Sequence, residues 1–211
     1  MTSKHVFFPC GDLWLEGELS LPEGKIPFPV VVICHPHPLY GGDMDNNVVT
    51  AISSALVKDS IAALRFNFRG VGNSGGKFNE GIGEQEDVKA VLDFISKLPE
   101  IDSKRIGLAG YSFGGLITLS VAIGDSRIKR LALISPALKE KDWAQLKKYN
   151  MPKFVLVGDA DDIVPFRSFQ YLFGDNKQYK IIDGADHFWA GYEIEISRKI
   201  SSFFTDGFLK K

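Results

Sequence analysis

The chain has 211 residues, of which 45% are hydrophobic and 24% charged, as in an ordinary globular protein. Its 25 basic and 26 acidic residues give a net charge of -1, which argues against a basic surface for nucleic acid or an anionic membrane. This length suits a single domain over residues 1–211.

Two further features of the sequence bear on the cellular compartment of the protein. The cysteines Cys10 and Cys34 are too few for a disulfide framework, and Cys34 lies in an apolar run typical of a buried strand. The N-terminus lacks the pattern of a secretory signal, and no apolar run is long enough to span a bilayer. We therefore expect a reduced, cytoplasmic setting and no membrane partner.

The predicted strands come in two kinds. Residues 13–21 alternate apolar and polar side chains, which predicts an antiparallel strand exposed on one face, at the sheet edge after residues 5–8. The later runs are apolar on both faces, which is typical of parallel strands covered by helices on both sides. These runs are residues 29–34, 61–68, 105–111, 130–135, 153–158 and 180–183.

Helical patterns separate the strands. Apolar residues recur at helical spacing in residues 46–58, 84–98 and 194–204, and residues 142–149 predict a connecting helix. The alternation of strand and helix predicts an α/β fold with a mostly parallel, twisted, doubly wound sheet and helices on both faces.

The strongest chemical motif is Gly110-Tyr111-Ser112-Phe113-Gly114, which lies between a predicted strand and a predicted helix. This is the pattern of a nucleophile elbow, in which glycines allow a sharp, strained turn that exposes the serine. The N-terminus of the following helix directs free N–H groups toward that serine, so the Phe113 N–H is the expected first donor to an oxyanion.

A serine nucleophile needs a base, and chain order selects one. In proteins with this elbow the acid and then the histidine follow the serine. Of the four histidines only His187 follows Ser112, and it lies just past the last predicted strand. The carboxyl edge of the sheet, where this loop lies, is where sites in open α/β sheets gather.

The acid that orients the histidine should follow the strand that ends at Gly158. Asp159, Asp161 and Asp162 all lie there, and the residues alone do not separate them. Asp186 is adjacent to His187, but neighbours in an extended loop tend to point apart.

Taken together, these motifs resemble the α/β-hydrolase superfamily, in particular its small lidless members near the dienelactone hydrolases. The resemblance covers nearly the whole chain and implies Asp161 as the acid. Only residues 137–152 lie where many relatives insert a cap, so no cap domain is expected. The motifs that carry the resemblance are the elbow, the His-Pro-His-Pro loop in residues 33–42, the R-G-x-G-x-S turn in residues 66–75, Gly158-x-x-Asp161-x-x-Val164-Pro165 and Gly184-x-x-His187.

The chain departs from that family at two positions. Dienelactone hydrolases carry cysteine where this chain has Ser112, which favours ordinary ester chemistry. Pro36 replaces a glycine of the oxyanion loop, and proline has no N–H to donate. By register the second oxyanion donor should be the His37 N–H, with Leu39 or Tyr40 as alternatives if the loop is shifted.

Two other patterns resemble binding sites. His35 and His37 with Asp43 and Asp45 suggest a metal site, but prolines stiffen this extended segment and alternate histidines point apart, so no metal is expected. The glycines of residues 70–75 match a dinucleotide fingerprint, but no helix follows directly, which indicates a turn. The candidate substrate-pocket residues are Tyr40, Tyr111 and Phe188.

The resulting hypothesis is a serine hydrolase that cleaves small or short-acyl carboxylic esters or thioesters through an acyl-enzyme on Ser112, without a cofactor. Its expected partner is a small-molecule ester. The alternatives are a catalytically silent binding protein with this fold, or peptidase or acyltransferase activity on the same residues.

Overall fold

The computed structural model describes residues 1–164 and 178–210, and eight strands in these residues form one sheet. The strands are β1 (Thr2–Cys10), β2 (Leu13–Leu21), β3 (Phe28–Cys34), β4 (Ala62–Phe66), β5 (Ile101–Tyr111), β6 (Ile128–Ile134), β7 (Lys153–Gly158) and β8 (Tyr179–Ile182). The helices are α1 (Asn47–Lys58), α2 (Ile82–Ile95), α3 (Phe113–Ala122), α4 (Glu140–Lys148) and α5 (Glu193–Phe208).

The strand order across the sheet is β1-β2-β4-β3-β5-β6-β7-β8. The first two pairings, β1 with β2 and β2 with β4, are antiparallel, and all the others are parallel. The predicted mostly parallel sheet with an antiparallel N-terminal edge is therefore confirmed. The segment between β6 and β7, where many relatives insert a cap and none was expected here, forms the single helix α4.

Two hydrophobic cores lie on opposite faces of the sheet. Alternate residues of β3 point to different cores, with Val30 and Val32 in one and Val31 and Ile33 in the other. The first core is covered by α2, α3 and α4, and the second by α1 and α5. This arrangement explains why the central strands are apolar on both faces.

The prediction that residues 13–21 form the edge strand is wrong, because β1 lies outside β2 and takes that place. The expected exposed face is also largely buried. Glu16 is 2% exposed because its carboxylate accepts hydrogen bonds from the side-chain amides of Asn67 and Asn73, on the loop after β4. The alternating pattern therefore predicted an exposed side chain at Glu16, whereas this side chain is buried and binds the loop after β4.

The boundary of α2 also differs from the prediction for residues 84–98. The helix begins at Ile82 because the Glu84 carboxylate accepts the backbone N–H groups of Asn79 and Gly81, which caps the first turn. It ends at Ile95, before the turn that leads to Pro99. The residues between α2 and β4 form the predicted glycine turn, with left-handed Gly70 and Gly72.

His35, just after β3, joins two loops at the carboxyl edge of the sheet. Its Nδ1 donates to the Pro36 carbonyl at 2.7 Å, and its Nε2 accepts the Phe68 N–H at 3.0 Å. Burial lowers the pKa of His35 to about 4, although the bond to Pro36 opposes the shift. Because Nε2 serves as an acceptor here, the fold requires a neutral imidazole.

We predict that His35 makes stability depend on pH. Below about pH 6.5 the unfolded chain takes up a proton that the folded chain refuses until about pH 4, so stability falls as the pH is lowered through this window. The difference between these values corresponds to about 3 kcal/mol. Urea unfolding at pH 7 and pH 4.5 should show a smaller loss in His35→Gln than in the wild type. Equal losses in the two proteins would contradict the assignment.

Candidate active site

The turn from β5 to α3 holds Ser112 in a strained conformation. Its φ is 54° and its ψ is -117°, a left-handed φ that non-glycine residues rarely adopt. A Cβ added at Gly110 would lie 2.4 Å from the Gly114 carbonyl oxygen, and one at Gly114 would lie 2.4 Å from the Cys34 carbonyl oxygen. The glycines of the elbow are therefore required by close packing against the turn itself and against β3.

The structure brings Ser112, His187 and Asp161 together. His187 Nε2 lies 3.0 Å from Ser112 Oγ, and His187 Nδ1 lies 2.9 Å from Asp161 Oδ2. The three residues are between 3 and 8% exposed. They come from the end of β5, the loop after β7 and the loop after β8, which meet at the carboxyl edge of the sheet.

The Asp161 carboxylate is well suited to stay ionised. Its Oδ1 accepts the backbone N–H groups of Ile163 at 3.0 Å and Val164 at 2.7 Å. Burial by itself raises the pKa of Asp161, but hydrogen bonding from His187, Val164 and Ser135 outweighs it and holds the pKa below its usual value. A buried anion beside Nδ1 fixes the tautomer in which Nε2 accepts the serine proton.

The other three aspartates of this region do not reach the histidine. Asp159 accepts the Gly184 N–H at 2.7 Å and so ties the loop after β7 to the loop after β8. Asp162 is exposed. Asp186 caps the turn after His187 by accepting the N–H groups of Phe188 and Trp189. Pro165, the last residue of the acid motif, lies outside the described residues.

The loop after β3, which the sequence predicts to donate to an oxyanion, leaves few backbone donors free. The Leu39 N–H donates to His37 Nδ1 at 3.2 Å, and the Tyr40 N–H donates to the His37 carbonyl at 3.0 Å. Within the described residues, the backbone N–H groups of His37 and Phe113 have no protein acceptor. Of the three candidates for a second oxyanion donor, His37 therefore has the free amide.

The contact between Ser135, which directly follows β6, and Trp189, after His187, was not predicted from the sequence. The Trp189 indole N–H donates to Ser135 Oγ at 3.2 Å, and both residues are fully buried. Both also have a left-handed φ, 37° at Ser135 and 59° at Trp189. No local motif marks this contact, because a serine and a tryptophan distant in sequence form it.

The candidate pocket residues occupy different environments. Tyr40 is 87% exposed and Phe188 is 63% exposed, so both offer their rings to a ligand. Tyr111 is only 3% exposed, because it packs in the core and its hydroxyl donates to the His187 carbonyl at 2.5 Å. Tyr111 thus supports the histidine loop and presents little surface to a substrate.

The histidines and aspartates of the loop after β3 bind other protein groups. Both ring nitrogens of His35 are hydrogen-bonded to backbone groups, and Asp45 forms an ion pair with Arg65. Among residues 1–164 and 178–210, no three His, Cys, Asp or Glu side chains are grouped to hold a metal ion. The same residues contain no helix with the length and hydropathy of a bilayer span.

Comparison with known proteins agrees with this geometry. Residues 13–161 match the X-Pro dipeptidyl-peptidase (S15) family. An uncharacterized protein of Rickettsia prowazekii is 37% identical over 187 residues, which cover 83% of this chain and 78% of the relative. Three further curated relatives are longer proteins, and the chain spans 37 to 40% of their length.

Solved structures share the whole fold. An α/β serine hydrolase homologue from Coxiella burnetii is 35% identical with a TM-score of 0.84, over 96% of this chain and 97% of that one. A lidless α/β serine hydrolase from Xanthomonas campestris is 28% identical, also with a TM-score of 0.84, over 100% of this chain and 97% of that one. The chain has the α/β-hydrolase fold of these lidless serine hydrolases and belongs to the S15 peptidase family.

Proposed function

We propose that this protein is a serine esterase that cleaves small carboxylic esters or thioesters through an acyl-enzyme on Ser112. The observation that carries the proposal is the continuous hydrogen-bonded path from Asp161 through His187 to Ser112, with contacts of 2.9 and 3.0 Å. A serine placed in this way has the adjacent base that a hydroxyl nucleophile needs. We further propose that residues 1–211 act as one domain, with a small-molecule ester as partner.

The first half of the reaction forms the acyl-enzyme. Ser112 Oγ attacks the carbonyl carbon while His187 Nε2 takes the hydroxyl proton, and the Asp161 carboxylate stabilises the resulting imidazolium. The carbonyl oxygen becomes an oxyanion, for which the backbone N–H groups of Phe113 and His37 are the proposed donors. His187 then protonates the leaving alcohol or thiol as its bond to the carbonyl carbon breaks.

The second half releases the acid. Water gives a proton to His187 Nε2 and attacks the acyl carbon, the ester bond to Ser112 breaks, and His187 returns its proton to Oγ. Each step uses groups already within hydrogen-bond reach in the described structure, so the scheme requires no cofactor.

The esterase assignment competes with one specific alternative, the peptidase activity that names the S15 family. The same triad chemistry applies to an amide, but an exopeptidase must also bind the charged N-terminus of its substrate. Tyr40 and Phe188 are exposed, uncharged aromatics of the candidate site, whereas Asp162 and Asp186, beside Asp161 and His187 in the chain, are exposed carboxylates. A direct comparison of ester and amide substrates therefore separates the two activities.

We predict that a fluorophosphonate probe labels Ser112. Wild-type protein should react, whereas Ser112→Ala should not, because the activated hydroxyl is absent. In the same variant the turnover of p-nitrophenyl acetate should fall on the order of a million-fold, as in serine triads generally. Folded wild-type protein that neither reacts with the probe nor hydrolyses the ester would instead support a silent binding protein.

We predict that the wild type hydrolyses p-nitrophenyl acetate with a far larger kcat/KM than alanyl-proline p-nitroanilide. Both substrates release a chromophore, so the two rates are measured in one assay, with Ser112→Ala as the background for each. A larger kcat/KM for the dipeptide anilide would assign the site to the peptidase alternative.

We predict that Ser135→Ala lowers kcat/KM by roughly 5- to 30-fold. The substitution removes the hydroxyl that helps to hold the pKa of Asp161 below its usual value and leaves the buried Trp189 N–H without an acceptor, a loss of about 1–2 kcal/mol. Ser135→Gly should lose a similar factor, even though glycine relieves the strain of the left-handed φ. Ser120→Ala, which removes only a bond to the carbonyl of Leu116 in its own helix, is the matched control. If Ser135→Gly keeps the full kcat/KM, the Ser135 hydroxyl is not required, and the effect of Ser135→Ala comes from the backbone conformation.

A further inference from the structure

Four aromatic rings form a continuous surface beside the candidate oxyanion donors. The His37 ring lies 4.7 Å from that of Tyr40, 4.9 Å from that of Phe78 and 4.8 Å from that of Phe113, measured between centroids. Phe78 and Phe113 are 5.7 Å apart. We call His37, Tyr40, Phe78 and Phe113 the aromatic platform.

The platform is contiguous with the reacting groups. Phe113 directly follows Ser112 in the chain, and Phe113 and His37 are also the residues with free backbone N–H groups. A substrate whose carbonyl oxygen accepts from these two amides therefore places its neighbouring atoms next to the platform rings. His37 and Phe113 thus each supply both a backbone N–H donor and an aromatic ring.

Much of the platform is open to a ligand. Tyr40 is 87% exposed and the adjacent Leu39 is 67% exposed, Phe78 and His37 are half-buried, and Phe113 is buried at 6% exposed, so a ligand meets the rings of the first three. Large exposed apolar side chains grouped at a catalytic centre mark a contact surface for a ligand.

The platform carries no formal charge at neutral pH. His37 Nδ1 accepts the Leu39 N–H, which requires an unprotonated nitrogen there, and burial lowers the pKa of His37 although buried Glu84 opposes the shift. Uncharged aromatic rings bind other aromatic rings by offset or edge-to-face stacking, and they offer no counter-charge to an ionic substituent.

The position of His187 decides which part of the ester meets the platform. His187 Nε2 must protonate the leaving oxygen, so the leaving group lies toward His187 and the acyl group lies away from it. In the described part of the chain, the ring neighbours of His187 are Tyr111 and Phe188, and none of the platform rings is among them. Because the platform rings adjoin the candidate oxyanion donors and not the His187 ring, we assign the platform to the acyl side.

We infer that the acyl part of the substrate is a planar aromatic group, of the benzoyl or arylacryloyl kind, which stacks on the aromatic platform. The inference rests on the proposed esterase function and narrows its substrate class. It makes Tyr40 and Phe78 specificity-determining residues, because each offers a ring to the acyl group while neither takes part in proton transfer.

The test compares phenylboronic acid with cyclohexylboronic acid as inhibitors of p-nitrophenyl acetate hydrolysis. Both form a tetrahedral adduct with an activated serine, and they differ in whether the ring beside boron is planar. The ratio of their inhibition constants is measured in the wild type, in Phe78→Leu and in Tyr40→Leu. Phe7→Leu is the matched control, since Phe7 is a 49% exposed aromatic on the edge strand β1.

We expect the wild type to prefer the phenyl compound, and each platform variant to lose roughly threefold to tenfold of that preference, the contribution of one aromatic contact. Phe7→Leu should keep the wild-type ratio. Intrinsic differences between the two boronic acids cancel, because only changes of the ratio between proteins are compared. Tyr40→Leu alters an exposed side chain, so its result does not depend on the folding of a core variant.

The inference is overturned if both platform variants keep the wild-type ratio while both compounds still inhibit. That result would leave the esterase proposal intact. If neither compound inhibits and the fluorophosphonate probe fails to label Ser112, the esterase proposal and the aromatic substrate class fall together.

Discussion

The candidate site depends on the close approach of the turn at Ser112 to the strands beside it. The Ser112 N–H donates to the Ile134 carbonyl of β6 at 2.9 Å, and its carbonyl accepts the Ala137 N–H at 3.0 Å. On the other side, Gly114 packs so tightly against Cys34 of β3 that no side chain fits. Because the turn is held from both sides, the fold maintains a left-handed serine that costs about 1–3 kcal/mol in an isolated chain.

The same kind of strain recurs along the hydrogen-bonded path behind the serine. Ser135 and Trp189 both have a positive φ, and the Trp189 indole N–H donates to the Ser135 hydroxyl. The Ser135 hydroxyl also acts on Asp161, which binds His187. Since Trp189 lies two residues after His187, the path returns to the loop that carries the histidine. His187 is thus held both by its carboxylate partner and through its own loop, which is the preorganisation that the proposed reaction requires.

The sequence was most informative where a local steric rule governs the structure. The glycines around Ser112 and the position of His187 after it were enough to predict which two side chains meet, and the structure places them 3.0 Å apart. The residues alone did not separate the three aspartates after β7, because that choice depends on where the chain turns in three dimensions; the family resemblance implied Asp161. The contact of Ser135 with Trp189 and the outer position of β1 had no local signal, since both are decided by pairing between distant segments.

The two prolines of the loop after β3 have no N–H of their own, yet they explain why His37 is left with a free amide. A residue before proline is forced into extended backbone, and His37 has φ -61° and ψ 123°. In this conformation its carbonyl accepts the N–H groups of Tyr40 and Gly42, and its ring caps the turn through Leu39. The N–H groups of Leu39, Tyr40 and Gly42 are thus used within the turn, and Pro36 and Pro38 have none. In the part of this loop that the structure describes, the His37 N–H therefore stays free, as does that of Phe113 in the elbow. The same capping holds the His37 ring against Phe113, so one short segment sets both the proposed oxyanion contact and the aromatic surface next to it.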